Sequence, residues 1–266
     1  MKTKSLDSKL STNLILIHGW GMDSIVFESV AQRFSDIVNV VYLDLPGYGI
    51  NHELNYTYQQ YGEFLRDLDS TIPQNSIILG WSLGGLIALD YACHYQKKLK
   101  GLITVCSSPR FTELLDEDDE NSQIWNGVNA RTLKAFIRLI KPENKDQVCD
   151  HFLALQAMGS PSIRQDIREL RRALANQVRP TYDALKMGLQ ELADIDLRHE
   201  CLKLSLPMLQ CFGKYDRLVP SVDLIKYWYD NPHANTRIFN KTSHNPFLSE
   251  KDDFYTAVRD FIVSIM

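Results

Sequence analysis

The stretch Gly80-Trp81-Ser82-Leu83-Gly84 places a serine between two glycines, each two residues away. The apolar run Ser76 to Leu79 in front of it predicts a buried strand, and Leu86 to Tyr95 behind it predicts a helix. A sharp strand-turn-helix connection around a serine is typical of a nucleophile elbow, where small neighbours let strand and helix approach. The sequence therefore predicts Ser82 as a nucleophile at the tip of this turn, near a helix N-terminus that favours negative charge.

The 266-residue chain is 44% hydrophobic and carries a formal net charge of −4. This length allows one large domain, or one domain with an insertion. The charge gives no indication of nucleic-acid binding, and no apolar run approaches the roughly 20 residues that cross a membrane. The five cysteines are widely spaced, and the polar N-terminus lacks the apolar core of a signal peptide. We therefore expect a cytoplasmic protein with reduced thiols and no membrane or nucleic-acid partner.

Short β-prone runs alternate with helical patterns in two parts of the chain. The runs lie at 13–17, 38–43, 76–79, 99–106, 206–212 and 235–239. This alternation favours an α/β fold with a mostly parallel central sheet flanked by helices.

Residues 110–192 interrupt the alternation, since they carry helical patterns and no strand-like run. An acidic stretch, Glu113 to Glu120, leads into helical patterns at 130–140, 146–158, 162–176 and 181–192. A helical block between strands of one sheet is best explained as a cap over the carboxyl edge of the sheet. We therefore expect a core formed by residues 1–109 and 193–266, with an inserted all-helical cap at 110–192.

A serine hydroxyl needs a base within hydrogen-bond reach, and His244 follows the last predicted strand at the edge where the elbow points. His52 ends a glycine-rich loop on the same edge and stays open as an alternative. The orienting acid of such sites follows a strand and lies between serine and histidine in chain order. Asp216, directly after the run at 206–212, has this position. We predict a catalytic triad of Ser82, Asp216 and His244.

The negative charge that develops on a substrate oxygen needs two hydrogen-bond donors. One candidate is the amide of Leu83, the residue after the nucleophile. The loop after the first strand, His18-Gly19-Trp20-Gly21, offers the second, because glycines on both sides of Trp20 permit a tight turn. We predict an oxyanion hole formed by the amides of Trp20 and Leu83, with the Trp20 indole as a wall of the acyl pocket.

Nearly the whole chain resembles the α/β-hydrolase superfamily, and within it the pimeloyl-[acyl-carrier protein] methyl ester esterases of biotin synthesis. The matching stretches are His18-Gly-Trp-Gly-Met22, Gly80 to Gly85, Ser107-Ser-Pro109, Phe152-Leu-Ala-Leu-Gln156, Met158-Gly159, Arg164-Gln-Asp166 and Asp196-Leu-Arg198. The elbow and the His-Gly loop are shared by many hydrolases, whereas the stretch from Phe152 to Gln156 is much more specific.

This resemblance implies an esterase. We expect it to need no metal or organic cofactor and to act as a monomer. The implied substrate is the methyl ester of a pimeloyl chain carried by an acyl carrier protein, and its hydrolysis releases methanol. By this resemblance Phe152, Leu153, Ala154, Leu155 and Gln156 line the substrate channel. Together with the predicted site residues Trp20, Ser82, Leu83 and His244, they form the expected substrate-binding set.

Two predicted cap helices carry basic residues on one face. They are Arg164, Arg168, Arg171 and Arg172 on one helix, and Arg131, Lys134, Arg138 and Lys141 on the other. Because acyl carrier proteins are acidic, Arg131, Arg138, Arg164, Arg168 and Arg172 are candidate docking residues. Taken alone, the pattern favours solvated sides of amphipathic helices. The sequence departs from the family at Gln147 and His151, where docking arginines are expected, so docking would use a shifted set of basic residues or be weaker.

Two other functions stay open. A general short-chain carboxylesterase, or a hydrolase of carbon–carbon bonds in free small molecules, would share the triad and differ in the cap pocket. A non-catalytic ligand-binding protein of this fold commonly lacks the serine or the histidine, and both are present here. Reaction with a serine-directed fluorophosphonate separates this last function from the two enzymatic ones.

Overall fold

The computed structural model describes residues 1–6, 10–114, 125–175 and 177–266. The strands are β1 Lys4–Ser5, β2 Asn13–Ile17, β3 Asn39–Leu43, β4 Ser76–Trp81, β5 Leu99–Val105, β6 Met208–Gly213 and β7 Ala234–Phe239. The α-helices are α1 Glu28–Ala31, α2 Tyr61–Thr71, α3 Leu83–Tyr95, α4 Ala130–Leu139, α5 Lys145–Ala157, α6 Ile163–Leu174, α7 Tyr182–Asp194, α8 Arg198–Cys201, α9 Ser221–Tyr229, α10 Pro246–Ser249 and α11 Lys251–Ser264. Short 3-10 helices lie at Ser24–Phe27, Gln32–Phe34, Gly49–Asn51, Tyr58–Gln60 and Gln96–Lys98.

The seven strands form one sheet in the order β1-β3-β2-β4-β5-β6-β7. Every neighbouring pair is parallel except β1 and β3. The predicted α/β fold with a mostly parallel sheet is therefore confirmed. The ends of the predicted strands differ by at most two residues from the observed ones. Strand β6, for example, begins at Met208 because the preceding Pro207 has no amide hydrogen for the ladder.

The two faces of the sheet pack against separate hydrophobic clusters. In β2, Ile15 and Ile17 join one cluster, while Leu14 and Leu16 join the other. This follows from the period of two along a strand, and it explains why the run is apolar throughout. Within the described ranges, none of the helices combines the length and the apolar character that a membrane span requires.

Helices α4 to α7 lie between β5 and β6 in the chain, and we name them the helical segment. Helical patterns predicted all four, with ends that differ by at most two residues. The predicted end of the third pattern at Asn176 and residues 115–120 of the acidic stretch lie outside the described residues. An ion pair of 2.6 Å joins Arg110, before the segment, to Asp196, after it.

Candidate active site

The turn between β4 and α3 holds Ser82 at φ 54° and ψ −118°, a conformation that L-residues rarely adopt. A Cβ atom on Gly80 would lie 2.3 Å from the carbonyl oxygen of Gly84, and one on Gly84 would lie 2.4 Å from that of Ile17. Strand and helix can approach this closely only with glycine at both positions. The predicted elbow therefore has the geometry that presents a serine at the start of a helix.

Ser82, His244 and Asp216 form one chain of hydrogen bonds. His244 Nε2 lies 2.8 Å from Ser82 Oγ, and His244 Nδ1 lies 2.7 Å from Asp216 Oδ2. The other oxygen of Asp216 accepts hydrogen bonds from the amides of Leu218 and Val219, at 2.9 and 3.0 Å. All three side chains are buried. With the Nδ1 proton directed at the carboxylate, the Nε2 lone pair faces the serine hydroxyl, as proton abstraction requires.

The residue before the serine also holds the histidine. Trp81 is fully buried, and its Nε1 donates a hydrogen bond of 2.7 Å to the carbonyl oxygen of His244. Sequence reasoning missed this contact, because nothing in the local pattern around Trp81 indicates a partner 163 positions away.

The two predicted oxyanion donors are the amides of Trp20, in the loop after β2, and of Leu83, at the start of α3. Leu83 is the first residue of α3, so its amide has no partner within the helix. None of the hydrogen bonds found among the described residues uses the Trp20 amide as donor. The Trp20 indole donates a 2.8 Å hydrogen bond to the carbonyl oxygen of Leu185, which fixes the loop against α7. Both amides are therefore available to a ligand at Ser82.

His18 connects the Trp20 loop to the loop after β3. Its Nε2 accepts a hydrogen bond from the Leu45 amide at 3.0 Å, and its Nδ1 lies 2.9 Å from the carbonyl oxygen of Gly19. Burial lowers the pKa of His18, in agreement with a neutral ring that accepts at one nitrogen and donates at the other. His52, the alternative base, lies half-exposed beside Glu53 instead of at Ser82.

An apolar cavity of about 140 Å³ adjoins Ser82. The residues that line it are Ser82, Phe111, Val128, Thr132, Leu133, Phe136, Phe152, Leu155, Leu192 and Leu218. Helices α4, α5 and α7 therefore form much of its wall. The apolar side of α4 was visible in the sequence, but its position over Ser82 depends on tertiary packing.

The stretch from Phe152 to Gln156 divides between several environments. Phe152 and Leu155 line the cavity, whereas Leu153 packs in the hydrophobic cluster on the other face of the sheet. Ala154 is exposed, and Gln156 is buried with its carbonyl oxygen 3.3 Å from the His244 amide. A helix turns once per 3.6 residues, so five consecutive residues cannot share one cavity.

Trp20 does not belong to the lining of this cavity. Its ring lies edge-on to Phe152, with 4.7 Å between the ring centroids. The indole therefore supports the cavity wall from behind instead of forming it, because its Nε1 is held by α7. Leu83 and His244 likewise flank Ser82 without lining the cavity.

The candidate docking arginines are exposed on two helices of the helical segment. Arg131 and Arg138 lie on α4, whose opposite side lines the cavity. Arg164, Arg168 and Arg172 lie on α6, which contributes no residue to the cavity lining. Arg172 pairs with Glu169 at 3.0 Å.

One group of three potential metal-binding side chains occurs among the described residues: Cys106, Asp216 and His244, with donor atoms within 4.8 Å of one another. Asp216 and His244 are already bonded to each other. Burial raises the pKa of the Cys106 thiol well above its usual range, which disfavours the thiolate that a metal would need. This group therefore fits a hydrogen-bonded triad better than a metal site.

Comparison with known proteins assigns the chain to a family of enzymes that share this fold. A family model described as the alpha/beta hydrolase fold matches residues 12–251, so the chain belongs to the α/β-hydrolase family. The chain is 36% identical over 253 residues to the pimeloyl-[acyl-carrier protein] methyl ester esterase of Vibrio parahaemolyticus, covering 94% of this chain and 93% of that protein. The protein of the same name from Aeromonas salmonicida is 37% identical over 253 residues, with 94% and 95% covered.

A similar fold is found in solved structures. An esterase from Exiguobacterium antarcticum superposes with a TM-score of 0.79 at 19% identity, covering 98% of this chain and 94% of that one. At this low sequence identity, the superposition shows that the two proteins share a fold.

Proposed function

We propose that this protein is a serine carboxylesterase that hydrolyses the methyl ester of a pimeloyl chain on its acyl carrier protein. The observation that carries the proposal is the chain of hydrogen bonds from Ser82 to His244 to Asp216 beside an apolar cavity. The identity of more than a third to named esterases of this substrate, along nearly the whole chain, supports the choice of ester.

The first half of the reaction transfers the acyl group to the enzyme. His244 Nε2 accepts the Ser82 hydroxyl proton while Oγ attacks the ester carbonyl carbon. The amides of Leu83 and Trp20 stabilise the oxyanion, each donor being worth about 3 kcal/mol or more. Collapse of the tetrahedral intermediate breaks the bond to the methoxy oxygen, which takes the proton from His244 and leaves as methanol.

The second half releases the acid. His244 accepts a proton from water, whose oxygen attacks the acyl-enzyme carbonyl through a second oxyanion. Collapse breaks the bond to Ser82 Oγ, which regains its proton from His244. The products are a free carboxylate, one proton and the regenerated serine, so the distal end of the chain changes from a neutral ester to an anion.

The cavity supports a neutral, aliphatic substrate. Each methylene removed from water is worth about 0.8 kcal/mol, and the side chains from Phe111, Leu133, Phe152 and Leu192 offer apolar contact along the wall. An unpaired carboxylate is costly in such surroundings. A methyl ester therefore enters more readily than the acid that hydrolysis produces, and this favours release of product.

We propose the helical segment as the cap that receives the carrier. Arg131 and Arg138 lie on the outer side of a helix whose inner side lines the cavity, so a partner bound there would be close to the substrate channel. The arginines of α6 extend the basic surface. Attraction between this surface and an acidic carrier would raise the association rate and weaken with salt.

The test compares kcat/KM for pimeloyl-carrier methyl ester with that for free p-nitrophenyl esters. We expect the wild type to prefer the carrier-bound ester. In the double variants Arg131→Ala/Arg138→Ala and Arg164→Ala/Arg168→Ala, kcat/KM for the carrier-bound ester should fall at least fivefold, while kcat/KM for the free esters stays the same. Arg66→Ala, an exposed arginine on α2, is the matched control and should leave both values unchanged. Equal turnover of free short esters, with no effect of either double variant, would instead indicate a general esterase.

A further inference from the structure

Helix α6 is attached to the segment after His244 by a buried carboxylate. Asp166 is 1% exposed, and its Oδ1 accepts a hydrogen bond of 2.8 Å from Ser249 Oγ. Ser249 ends α10, which begins only two residues after His244. The same oxygen accepts a second hydrogen bond, of 3.2 Å, from Ser162 Oγ at the start of α6. Asp166 thus connects α6 to the short helix that follows the base.

The turn between α5 and α6 contacts the same region. The Ser243 hydroxyl lies 2.8 Å from the Met158 carbonyl oxygen and 3.3 Å from that of Tyr215. Gly159 has φ 90°, and a Cβ atom there would lie 2.6 Å from the Tyr215 carbonyl oxygen. This part of the helical segment therefore packs closely against the loops that carry both His244 and Asp216.

Several polar side-chain atoms in this region are buried without a hydrogen-bond partner in the part of the chain that the structure describes. Within the described ranges, neither polar atom of the Gln156 amide nor of the Asn245 amide has a hydrogen-bond partner, nor does Asp166 Oδ2. Apolar side chains would avoid this desolvation cost. Of these residues, Asp166 is held by the hydrogen bonds that its other oxygen accepts from Ser249 and Ser162.

We propose that Asp166 is a positioning residue for His244. Its bond to Ser249 holds α10 and the preceding loop, so that Nε2 stays 2.8 Å from the Ser82 hydroxyl. A misplacement of about 1 Å in such a pair lowers rates by about a hundredfold, so even a partial shift is measurable. Arg164 and Arg168 lie on the opposite, exposed side of the same helical turn. A carrier bound to these arginines would contact α6, the helix whose Asp166 is hydrogen-bonded to Ser249 shortly after His244. This consequence rests on the proposed function, whereas the positioning role of Asp166 does not.

The experiment compares two variants that each remove one hydroxyl donor from Asp166 Oδ1. Ser249→Ala removes the hydrogen bond between α6 and α10, whereas Ser162→Ala removes the hydrogen bond at the start of α6. The readouts are the rate of Ser82 labelling by a fluorophosphonate, and kcat and KM for a p-nitrophenyl ester. We expect Ser249→Ala to lower the labelling rate and kcat about tenfold with KM within twofold. Ser162→Ala and the conservative Asp166→Asn, which keeps an acceptor oxygen, should stay within twofold of wild type.

Asp166→Ala removes the carboxylate that accepts the hydrogen bond from Ser249. It therefore supplies the same test if Ser249→Ala does not fold. Wild-type labelling in both variants, or equal losses in Ser249→Ala and Ser162→Ala, would overturn the positioning role. Labelling requires neither carrier nor ester, so this result is independent of whether the pimeloyl ester is the substrate.

Discussion

Replacing Glu191 by glutamine tests how the buried face of α7 responds to pH. Glu191 is buried, and its Oε1 has no hydrogen-bond partner within the described ranges. Burial, together with the nearby negative charge of Asp90, raises the pKa of Glu191 from its ordinary value of 4.5 to about 8. Burial also raises the pKa of Tyr48, Tyr58 and Tyr61, which face this carboxyl, above their ordinary value of 10, so they do not titrate in the same range.

A carboxyl whose pKa is raised by folding contributes stability that is fully present below pH 4.5 and is lost as the pH rises through about 8. At about 1.4 kcal/mol per pH unit, this interval corresponds to an upper bound of about 5 kcal/mol. Glutamine keeps the shape of the protonated side chain and removes the titration. The free energy of unfolding of the wild type should therefore fall more steeply with pH than that of Glu191→Gln, by up to about 4 kcal/mol between pH 5 and 9.

Urea unfolding at both pH values, followed by tryptophan fluorescence, measures this difference. Glu143→Gln, an exposed carboxyl between α4 and α5, is the control and should keep the steep wild-type dependence. Asp90, whose pKa burial also raises, is present in all three proteins, so the contribution from its own burial cancels. Its repulsion of an ionised Glu191 is part of the difference that is measured. Parallel pH dependences for the wild type and Glu191→Gln would refute a buried neutral Glu191.

Three further substitutions test the site directly. Asp216→Asn should lower kcat by about 10³ to 10⁴ with little change in KM, because an amide does not hold the required imidazole tautomer. Steady-state kinetics measures this, with Asp223→Asn, a half-exposed carboxylate at the start of α9, as control; equal values for the two variants would contradict the prediction. Gly84→Ala should abolish folding or activity, as seen by circular dichroism and fluorophosphonate labelling, whereas Gly62→Ala, whose Cβ would meet nothing nearer than 3.8 Å, should match wild type. Val128→Phe should reduce the cavity and lower kcat/KM for octanoyl esters about tenfold while sparing acetyl esters; an equal loss for both chain lengths would argue against an acyl site there.

The parts of the site that could be predicted from sequence depend on local patterns and on the order of the strands. The glycines around Ser82 define the elbow, and the carboxyl ends of β6 and β7 are adjacent in a parallel sheet, which brings Asp216 and His244 to the edge where Ser82 lies. The antiparallel strand Lys4–Ser5 was not predicted, because two exposed polar residues give no apolar pattern.

The parts that could not be predicted depend on contacts between distant elements. The bond from the Trp81 indole to His244 and the link from Asp166 to Ser249 join residues far apart in the chain, and no local period indicates such partners. The division of the Phe152 to Gln156 stretch between cavity, core and solvent depends on the rotation of α5, which neighbouring helices set. Resemblance identified the stretch, and geometry separates Phe152 and Leu155 from the rest.

The most direct test of the proposed activity is the initial rate of methanol release from pimeloyl-carrier methyl ester by the wild type and by Ser82→Ala. We predict that the wild type releases one methanol per pimeloyl-carrier carboxylate formed, and that Ser82→Ala is slower by at least about 10³ while keeping its fold, since the nucleophile is lost. A wild-type enzyme that leaves this ester intact, or a Ser82→Ala rate within tenfold of it, would contradict the proposal that Ser82 hydrolyses the carrier-bound ester.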